Sequence, residues 1–164
     1  MYDLTVSQIH TFAVGQLQLV VHNCGSSLMQ KAMNAVGGRS NKVGAAAIIR
    51  GRSGQVLFDD AAGSSTRQVS GPFKSIIQKH LGDMGNGCFA GGCAERWLAD
   101  KIIEAADANP AIRGRPIQIA IWMGKGIAHD RPCPTCTDIF GDLSSRLGSK
   151  ISVQTSHGRI LQYG

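Results

Sequence analysis

Three cysteines and one glutamate lie in two short segments whose spacing suits hydrolysis at a metal ion. Cys93 stands two residues before Glu95, and the pair Cys133 and Cys136 follows forty positions after Cys93, in a Pro-Cys-Pro-Thr-Cys segment. Cysteine sulfurs that converge without a redox context point to Zn²⁺, which keeps a fourth position open for water in catalytic sites. A carboxylate beside that water acts as a general base. We therefore predict one zinc ion per chain, with Glu95 as the catalytic residue.

Both segments fall where apolar spacing predicts the start of a helix. One predicted helix has its apolar residues within 94–106, and the other within 136–147. Free backbone N–H groups and the helix dipole stabilise thiolates at a helix N-terminus. Side chains two residues apart do not share a helix face, so Cys93 and Glu95 meet only if both lie in the first turn. The prediction therefore depends on where the first of these helices begins.

The remaining pattern predicts a layered α/β domain. A helix is expected over residues 28–36, after a Ser26-Ser27 cap and before two glycines, and a further helix over residues 73–81. Short apolar runs predict five strands, at residues 43–49, 55–58, 116–123, 151–154 and 160–163. The order helix, strand, strand, two helices, strand, helix, strand, strand is typical of a mixed sheet covered by helices.

The charge of the chain favours a polyanionic partner. Residues 1–23 hold one charged side chain, whereas residues 24–164 carry 17 Lys and Arg against 10 Asp and Glu, a net charge of +7. This excess favours nucleic acid, because Lys and Arg that neutralise phosphates release counterions. A basic surface without a ligand is the alternative. The sequence has no apolar run of about 18 residues and no signal-peptide pattern, so we expect neither a membrane span nor a signal peptide.

Taken separately, the cysteine segments have other interpretations. Cys133 and Cys136 alone are compatible with a redox dithiol, which needs no Cys-Ala-Glu segment elsewhere. A closed structural zinc site is the second alternative. It requires a fourth protein ligand, for which Cys88 and His129 are the candidates.

Taken together, the two segments are similar to the active site of a known enzyme superfamily. A metal ligand two residues before a glutamate that does not bind the metal, followed by Pro-Cys-x-x-Cys, is typical of zinc-dependent nucleobase deaminases. Residues 93–96 (Cys-Ala-Glu-Arg) resemble the active-site motif of free-nucleoside cytidine deaminases, and residues 25–164 resemble the cytidine-deaminase-like superfamily in their order of elements. The resemblance implies a three-layer α/β fold with a mixed five-stranded sheet, helices on both faces and a C-terminal β-hairpin. It also implies that the three cysteines hold zinc while Glu95 transfers protons during hydrolytic deamination.

The beginning of the chain resembles a second family. Residues 2–6 (YDLTV), 10–14 (HTFAV) and 20–24 (VVHNC) resemble the closing part of Hint, or intein-like, autoprocessing domains. In that family the amide of an Asn side chain attacks its own backbone carbonyl and cuts the chain before the next residue. A plain antiparallel hairpin is the alternative interpretation of these residues.

The Hint resemblance assigns roles to four residues. They are Asn23 as the cyclising residue, His10 and His22 as its helpers, and Cys24 as the first residue released. The two resemblances divide the chain into a Hint remnant at residues 1–24 and a deaminase domain at residues 25–164.

A Hint segment directly before a deaminase-like domain resembles the C-terminal end of bacterial polymorphic toxins. The resemblance implies that the domain is secreted, or delivered into the cytoplasm of a target cell, as the C-terminal part of a larger toxin. It also implies a cognate immunity protein that covers the mouth of the active site.

Charge and resemblance together favour conversion of cytosine to uracil in nucleic acid. Single-stranded DNA is favoured over RNA as the substrate, because an unstacked base avoids an extrusion cost of roughly a few kcal/mol. Adenine is the alternative to cytosine as the target base. The loop at residues 124–131 leads from a strand into the predicted zinc-binding helix. Lys125 and Arg131 are its candidate phosphate contacts, and His129 is a candidate to stack on or donate to a base. An ordinary solvated loop is the alternative.

Two other classes of function remain open. The first is a deaminase of free nucleosides or nucleotides. Superfamily members of that kind have an Asn and a Glu after the second strand to hold the ribose, whereas this chain has Phe-Asp-Asp-Ala-Ala at residues 58–62. That difference favours nucleic acid. The second class is a non-catalytic, zinc-stabilised module that binds nucleic acid without reacting.

Overall fold

The apolar alternation near the N-terminus forms a two-stranded hairpin. Strands β1 (Thr11–Val14) and β2 (Leu19–His22) pair antiparallel. The computed structural model of the chain describes residues 11–14, 19–22, 24–82, 91–127 and 130–164. A hairpin is therefore present in this segment, as both interpretations of it expect. His10 and Asn23 lie outside the described residues, so their predicted roles stay predictions.

The second sheet is mixed and has five strands. The strands are β3 (Val43–Arg50), β4 (Val56–Gly63), β5 (Ile117–Met123), β6 (Ile151–Thr155) and β7 (Ile160–Tyr163). They lie in the order β4-β3-β5-β6-β7, in which β5 and β6 are parallel and every other neighbouring pair is antiparallel. The predicted mixed five-stranded sheet and its C-terminal hairpin are confirmed.

Helices cover both faces of this sheet. The described helices are α1 (Cys24–Asn34), α2 (Lys74–Lys79), α3 (Ala94–Ala108) and α4 (Pro134–Leu147). None of them is long and apolar enough to span a bilayer. In β3, Ala45 and Ala47 belong to the large core under α3 and α4, whereas Ala46 is buried on the opposite face, where α1 packs. The predicted three-layer α/β arrangement is confirmed.

Small residues let α1 lie close to the sheet. A Cβ atom at Gly44 of β3 would overlap the backbone carbonyl of Ala32 in α1. A Cβ atom at Gly63, opposite Gly44 on β4, would lie 2.8 Å from the carbonyl oxygen of Ala35. Such contacts are too short for any side chain, so glycine is required at both strand positions. The glycines thereby set the distance between the helix and the sheet.

Strand β4 is longer than the predicted run at residues 55–58. Asp59 and Asp60 follow that run, and two adjacent carboxylates suggest a loop. They stay in the strand because their backbones pair with β3, and the pleat turns their side chains to opposite faces, where each meets a lysine. Asp59 pairs with Lys31 of α1 at 2.7 Å, and Asp60 pairs with Lys101 of α3 at 2.8 Å.

The predicted start of the first helix is also wrong. Helix α1 begins at Cys24, so Ser26 and Ser27 lie in its first turn and do not cap it. Serine is tolerated there, because the first backbone N–H groups of a helix have no partner within the helix.

One end of the five-stranded sheet collects the loops that carry the candidate site. Strand β3 begins, and strands β4 and β5 end, at this end, where Val43 lies opposite Met123. The backbone N–H of Ser65, just after β4, donates to the carbonyl of Gly92, just before α3, at 3.0 Å. The described loop residues at this end include 37–42, 64–70, 124–127 and the turn at 156–159 after β6. We call it the loop end of the sheet, and both α3 and α4 begin there.

The close approach of α1 predicts that Gly44→Ala destabilises the fold. We expect a loss of about 2 kcal/mol or more in the free energy of unfolding, because the added methyl group displaces the helix backbone. Gly141→Ala in α4 is the matched control, since a Cβ there meets nothing within 4 Å. It should be stabilising by up to about 1 kcal/mol. Urea unfolding measures both variants, and equal effects would contradict the proposed packing.

Candidate metal centre

Two cysteines lie at the beginning of the helices that meet at the loop end. Cys93 is the N-cap of α3 and Cys133 is the N-cap of α4, both with extended backbone. Cys136 follows in the first turn of α4, which begins with Pro134. Proline suits that position because the first helical residue has no use for an N–H. The sulfurs therefore lie beside two sets of unpaired N–H groups and two positive dipole ends.

The three sulfurs lie close enough to bind one ion. The Sγ atoms of Cys93 and Cys133 are 3.8 Å apart, and all three Sγ atoms, Cys136 included, lie within 4.8 Å of one another. A tetrahedral ion with Zn–S bonds of about 2.3 Å separates its sulfurs by roughly 3.8 Å. All three cysteines are free of disulfides. The predicted convergence of the sulfurs is confirmed, and together they could hold a metal ion such as zinc.

Burial and mutual repulsion mean that these sulfurs need a cation in order to ionise together. Cys136 is fully buried, Cys133 is buried and Cys93 is half-buried. The pKa of the Cys136 thiol lies well above its usual value, raised first by its hydrogen bond with Cys133 and then by burial and by the charge of Glu95. A hydrogen bond with Cys93 lowers this pKa in part. Neighbouring thiolates are stable beside a positive ion, so the donor set fits Zn²⁺.

Glu95 lies in the first turn of α3, as the prediction requires. The helix begins at Ala94, which makes Glu95 its second residue and Cys93 its cap. Only 4% of Glu95 is exposed. Its carboxylate is near enough to Cys136 for its negative charge to raise the pKa of that thiol. The structure therefore places one buried acidic group next to the three sulfurs.

Tyr163, which sequence reasoning missed, lies next to this site. Its ring packs against Phe140 of α4, with ring centroids 5.5 Å apart. The pKa of Tyr163 is raised, first by burial and then by the charges of Cys136 and Glu95, and a hydrogen bond with Thr137 lowers it in part. A tyrosine at the end of the last strand carries no signal in the sequence, because only the pairing of β7 with β6 brings it to α4.

Arg96, the residue after Glu95, is buried and holds the first turn of α3 in place. Its guanidinium lies 3.7 Å from the ring centroid of Trp97, pairs with Asp100 at 2.9 Å and donates to the carbonyl of Ser70 at 2.8 Å. Burial lowers the pKa of Arg96 and raises the pKa of Asp100, and the attraction between the two charges opposes both shifts. These contacts attach the turn that carries Glu95 to the segment after β4. Sequence reasoning missed this role, because arginines on helices are mostly exposed.

The loop between β5 and α4 lies at the loop end and carries two of the predicted substrate contacts. Lys125 and Arg131 both have exposed side chains. The backbone N–H of Gly126 donates to the carbonyl of Ser40 at 2.9 Å, which joins this loop to the one after α1. The structure thus places both cations at the same end of the sheet as the sulfurs, and their contact with substrate stays a prediction.

The other predicted residues fall outside the described part of the chain. His129 and Cys88 lie in segments that the structure does not describe, and of His22 and Cys24 it describes the backbone alone. Their predicted roles stay predictions.

Comparisons with known proteins identify no family for this chain. No model of a known protein family matches it, and no curated protein matches it either. The interpretation of the site therefore depends on its own residues and their geometry.

The sulfur cluster predicts that Cys136→Ser abolishes metal binding. We expect the zinc content of the purified chain to fall from one ion per chain to well below one, because zinc retains only two of its sulfur ligands. The melting temperature should fall with it, since an ion that binds only the folded chain stabilises the fold.

Cys88→Ser is the control that tests a closed four-ligand site. With three sulfurs and an open position, this variant keeps its zinc. Loss of zinc from Cys88→Ser as well as from Cys136→Ser would indicate a structural site with four sulfur ligands. Metal analysis by mass spectrometry measures both variants.

The ion pair of the buried Arg96 with the half-buried Asp100 predicts that Asp100→Ala destabilises the fold by about 2 kcal/mol or more, because it leaves the Arg96 charge buried without its carboxylate. Asp107→Ala is the matched control on the same helix, since its 2.8 Å pair with Arg113 is exposed. That change should cost about 1 kcal/mol or less. Thermal and urea unfolding compare the two, and a small effect at Asp100 would contradict an anchoring role for Arg96.

Proposed function

We propose that this chain is a zinc-dependent deaminase that converts cytosine to uracil in nucleic acid, with single-stranded DNA ahead of RNA. The observation that carries the proposal is a buried carboxylate, Glu95, in the helix turn whose cap is one of three clustered cysteines. A redox dithiol needs no third sulfur, and a structural zinc site needs a fourth protein ligand. The order of the cysteines and the glutamate, which resembles that of zinc-dependent deaminases, supports the same chemistry.

In this reaction the three cysteines and Glu95 have different roles. Cys93, Cys133 and Cys136 would hold the zinc ion. When bound, zinc supplies a Lewis acid that lowers the pKa of a water at its open position to about 7. Glu95 accepts one proton from the attacking water, whose oxygen bonds to the ring carbon that carries the amino group, and passes that proton to the ring nitrogen. It then takes the second proton from the newly added hydroxyl group and passes it to the amino group, which leaves as ammonia when its bond to the ring carbon breaks.

The reaction balances without any further reactant. Cytosine and water give uracil and ammonia, and Glu95 ends in its starting state. Because only 4% of Glu95 is exposed, a proton that it takes up is held close to the base and away from bulk water.

The charge of the chain supports nucleic acid as the substrate. The chain carries a net charge of +6, and cations that contact phosphates gain affinity from counterion release. Single strands are favoured because their bases reach a buried site without an extrusion cost of roughly a few kcal/mol.

We also propose that the domain acts as a toxin inside a target cell, delivered as the C-terminal part of a larger secreted protein. The resemblance of residues 1–24 to the end of a Hint domain supports this role. A cognate immunity protein that covers the active-site mouth would protect the producing cell.

The proposed chemistry predicts that Glu95→Gln retains zinc and loses activity. We expect the rate of uracil formation to fall by about 10²- to 10⁴-fold, the usual contribution of a general base, because the amide cannot accept the proton. The assay compares cytosine-containing single-stranded DNA, RNA and free cytidine. Glu104→Gln, an exposed change on the same helix, is the matched control and should keep full activity.

Two outcomes would contradict the mechanism. Full turnover by Glu95→Gln would remove Glu95 from the reaction, and no uracil from any of the three substrates would remove cytosine deamination. The same variants test the toxin proposal when they are expressed inside a bacterial cell. The unchanged chain and Glu104→Gln should stop growth and leave cytosine-to-thymine substitutions in the genome, whereas Glu95→Gln should do neither.

A further inference from the structure

A second candidate site, a basic groove, lies at the loop end of the sheet. Its volume is about 820 Å³, within the range of roughly 300–1,000 Å³ that is usual for ligand sites. Among the described residues that line it are three cations and three hydroxyls, and none of these residues is acidic. The cations are Arg39, Lys42 and Arg67, and the hydroxyls belong to Ser64, Ser65 and Thr66. We call this site the basic groove.

Hydrogen bonds between Ser64 and Val43, the residue after the first wall, join the two walls of the basic groove. One wall is the loop at residues 37–42 after α1, and the other is the segment at residues 64–67 after β4. The N–H of Ser64 donates to the carbonyl of Val43 at 2.8 Å, and the N–H of Val43 donates to the hydroxyl of Ser64 at 3.2 Å. The cations are therefore carried on segments tied directly to the sheet.

The basic groove adjoins the segment that leads into the metal centre. The N–H of Ser65 donates to the carbonyl of Gly92 at 3.0 Å, and Gly92 is the residue immediately before Cys93. The wall that carries Arg67 thus runs beside the beginning of α3. A ligand in the groove would lie at the same end of the sheet as Glu95.

The other wall adjoins the loop that leads into α4. The N–H of Gly124 donates to the carbonyl of Lys42 at 3.1 Å. The next residue is Lys125, whose exposed side chain adds a further cation at this end. Cations from three separate loops therefore lie at the end of the sheet where α3 and α4 begin.

Cations and hydroxyls in one groove suit phosphate groups. Lys and Arg neutralise phosphate charge, and Ser and Thr hydroxyls donate to phosphate oxygens. A free nucleoside has no phosphate, and a mononucleotide has one. A single strand of nucleic acid presents one phosphate per nucleotide, which suits several cations in a row.

We propose that the basic groove binds the phosphate backbone of single-stranded nucleic acid beside the base on which Glu95 acts. This proposal rests on the proposed function, and it makes the polymer, not the free nucleoside, the substrate. The groove is distinct from the loop residues predicted from the sequence, because its cations come from the segments after α1 and after β4.

The test is the binding of a fluorescently labelled, cytosine-rich single strand, followed by anisotropy between about 50 and 200 mM salt. All proteins carry Glu95→Gln and are loaded with zinc, so no strand is converted during the measurement. The test variant adds Arg39→Gln and Lys42→Gln. We expect its affinity at low salt to fall about tenfold or more, and the slope of log K against log salt to flatten by about 1.4, since each phosphate contact contributes about 0.7.

A control variant with two cations removed outside the groove distinguishes binding in the groove from an effect of net charge on affinity. Arg52 and Lys150 are exposed at the opposite end of the sheet, in the β3–β4 turn and just before β6. Arg52→Gln with Lys150→Gln removes the same charge and should leave the slope nearly unchanged. Equal losses in the two double variants would overturn the proposal, because affinity would then follow net charge alone. An unchanged slope in the groove variant would overturn it as well.

The experiments can refute the groove proposal and the deaminase proposal separately. Binding through the groove without uracil formation by the unmodified chain would contradict the deaminase and support the groove. Uracil formation from free cytidine by a chain that binds no single strand would support the chemistry and overturn the groove. The single variants Arg39→Gln and Lys42→Gln should each show about half of the change in slope. Such proportional effects would show that the change in the double variant comes from the lost charges and not from misfolding.

Discussion

The N-termini of α3 and α4 meet at the loop end of the sheet, and each carries about half an elementary positive charge. Negative charge between two such ends is favourable. The thiolates of Cys93, Cys133 and Cys136 can supply it, and Glu95 adds more in the same turn. Three sulfurs so close together in turn need a cation to ionise. Every chemical property of the site therefore depends on where these two helices begin.

The sheet determines those starting points. Strand β5 ends at the loop end, and α4 starts there because it must return the chain to β6, which is parallel to β5. Helix α3 makes the same kind of return, from the end of β4 to the start of β5, which is parallel to β4, and side contacts fix its first turn. The bond from Ser65 to Gly92 and the buried contacts of Arg96 attach its first turn to the segment after β4. That same segment forms a wall of the basic groove, so one piece of chain supports both sites.

Much of this arrangement could be predicted from the sequence, and the reasons for the rest are physical. The start of α3 was predictable because Cys93 precedes a regular apolar pattern. The metal centre was predictable because few functions use three thiols together with one glutamate. The full length of β4 was not, since the pairing of Asp59 and Asp60 with β3 and their ion pairs with two helices involve residues distant in the sequence. The positions of Tyr163 and of the groove cations depend on contacts between distant segments, which no local pattern records.

Strand β4 forms an outer edge of the sheet, where unpaired backbone groups could accept another strand. The ion pairs of Asp59 with Lys31 and of Asp60 with Lys101 lie above and below that edge. A strand joining there would crowd both pairs and strip water from their charges. The aspartates that hold β4 between two helices therefore also oppose self-association through this edge, so a domain with an open sheet is discouraged from polymerising.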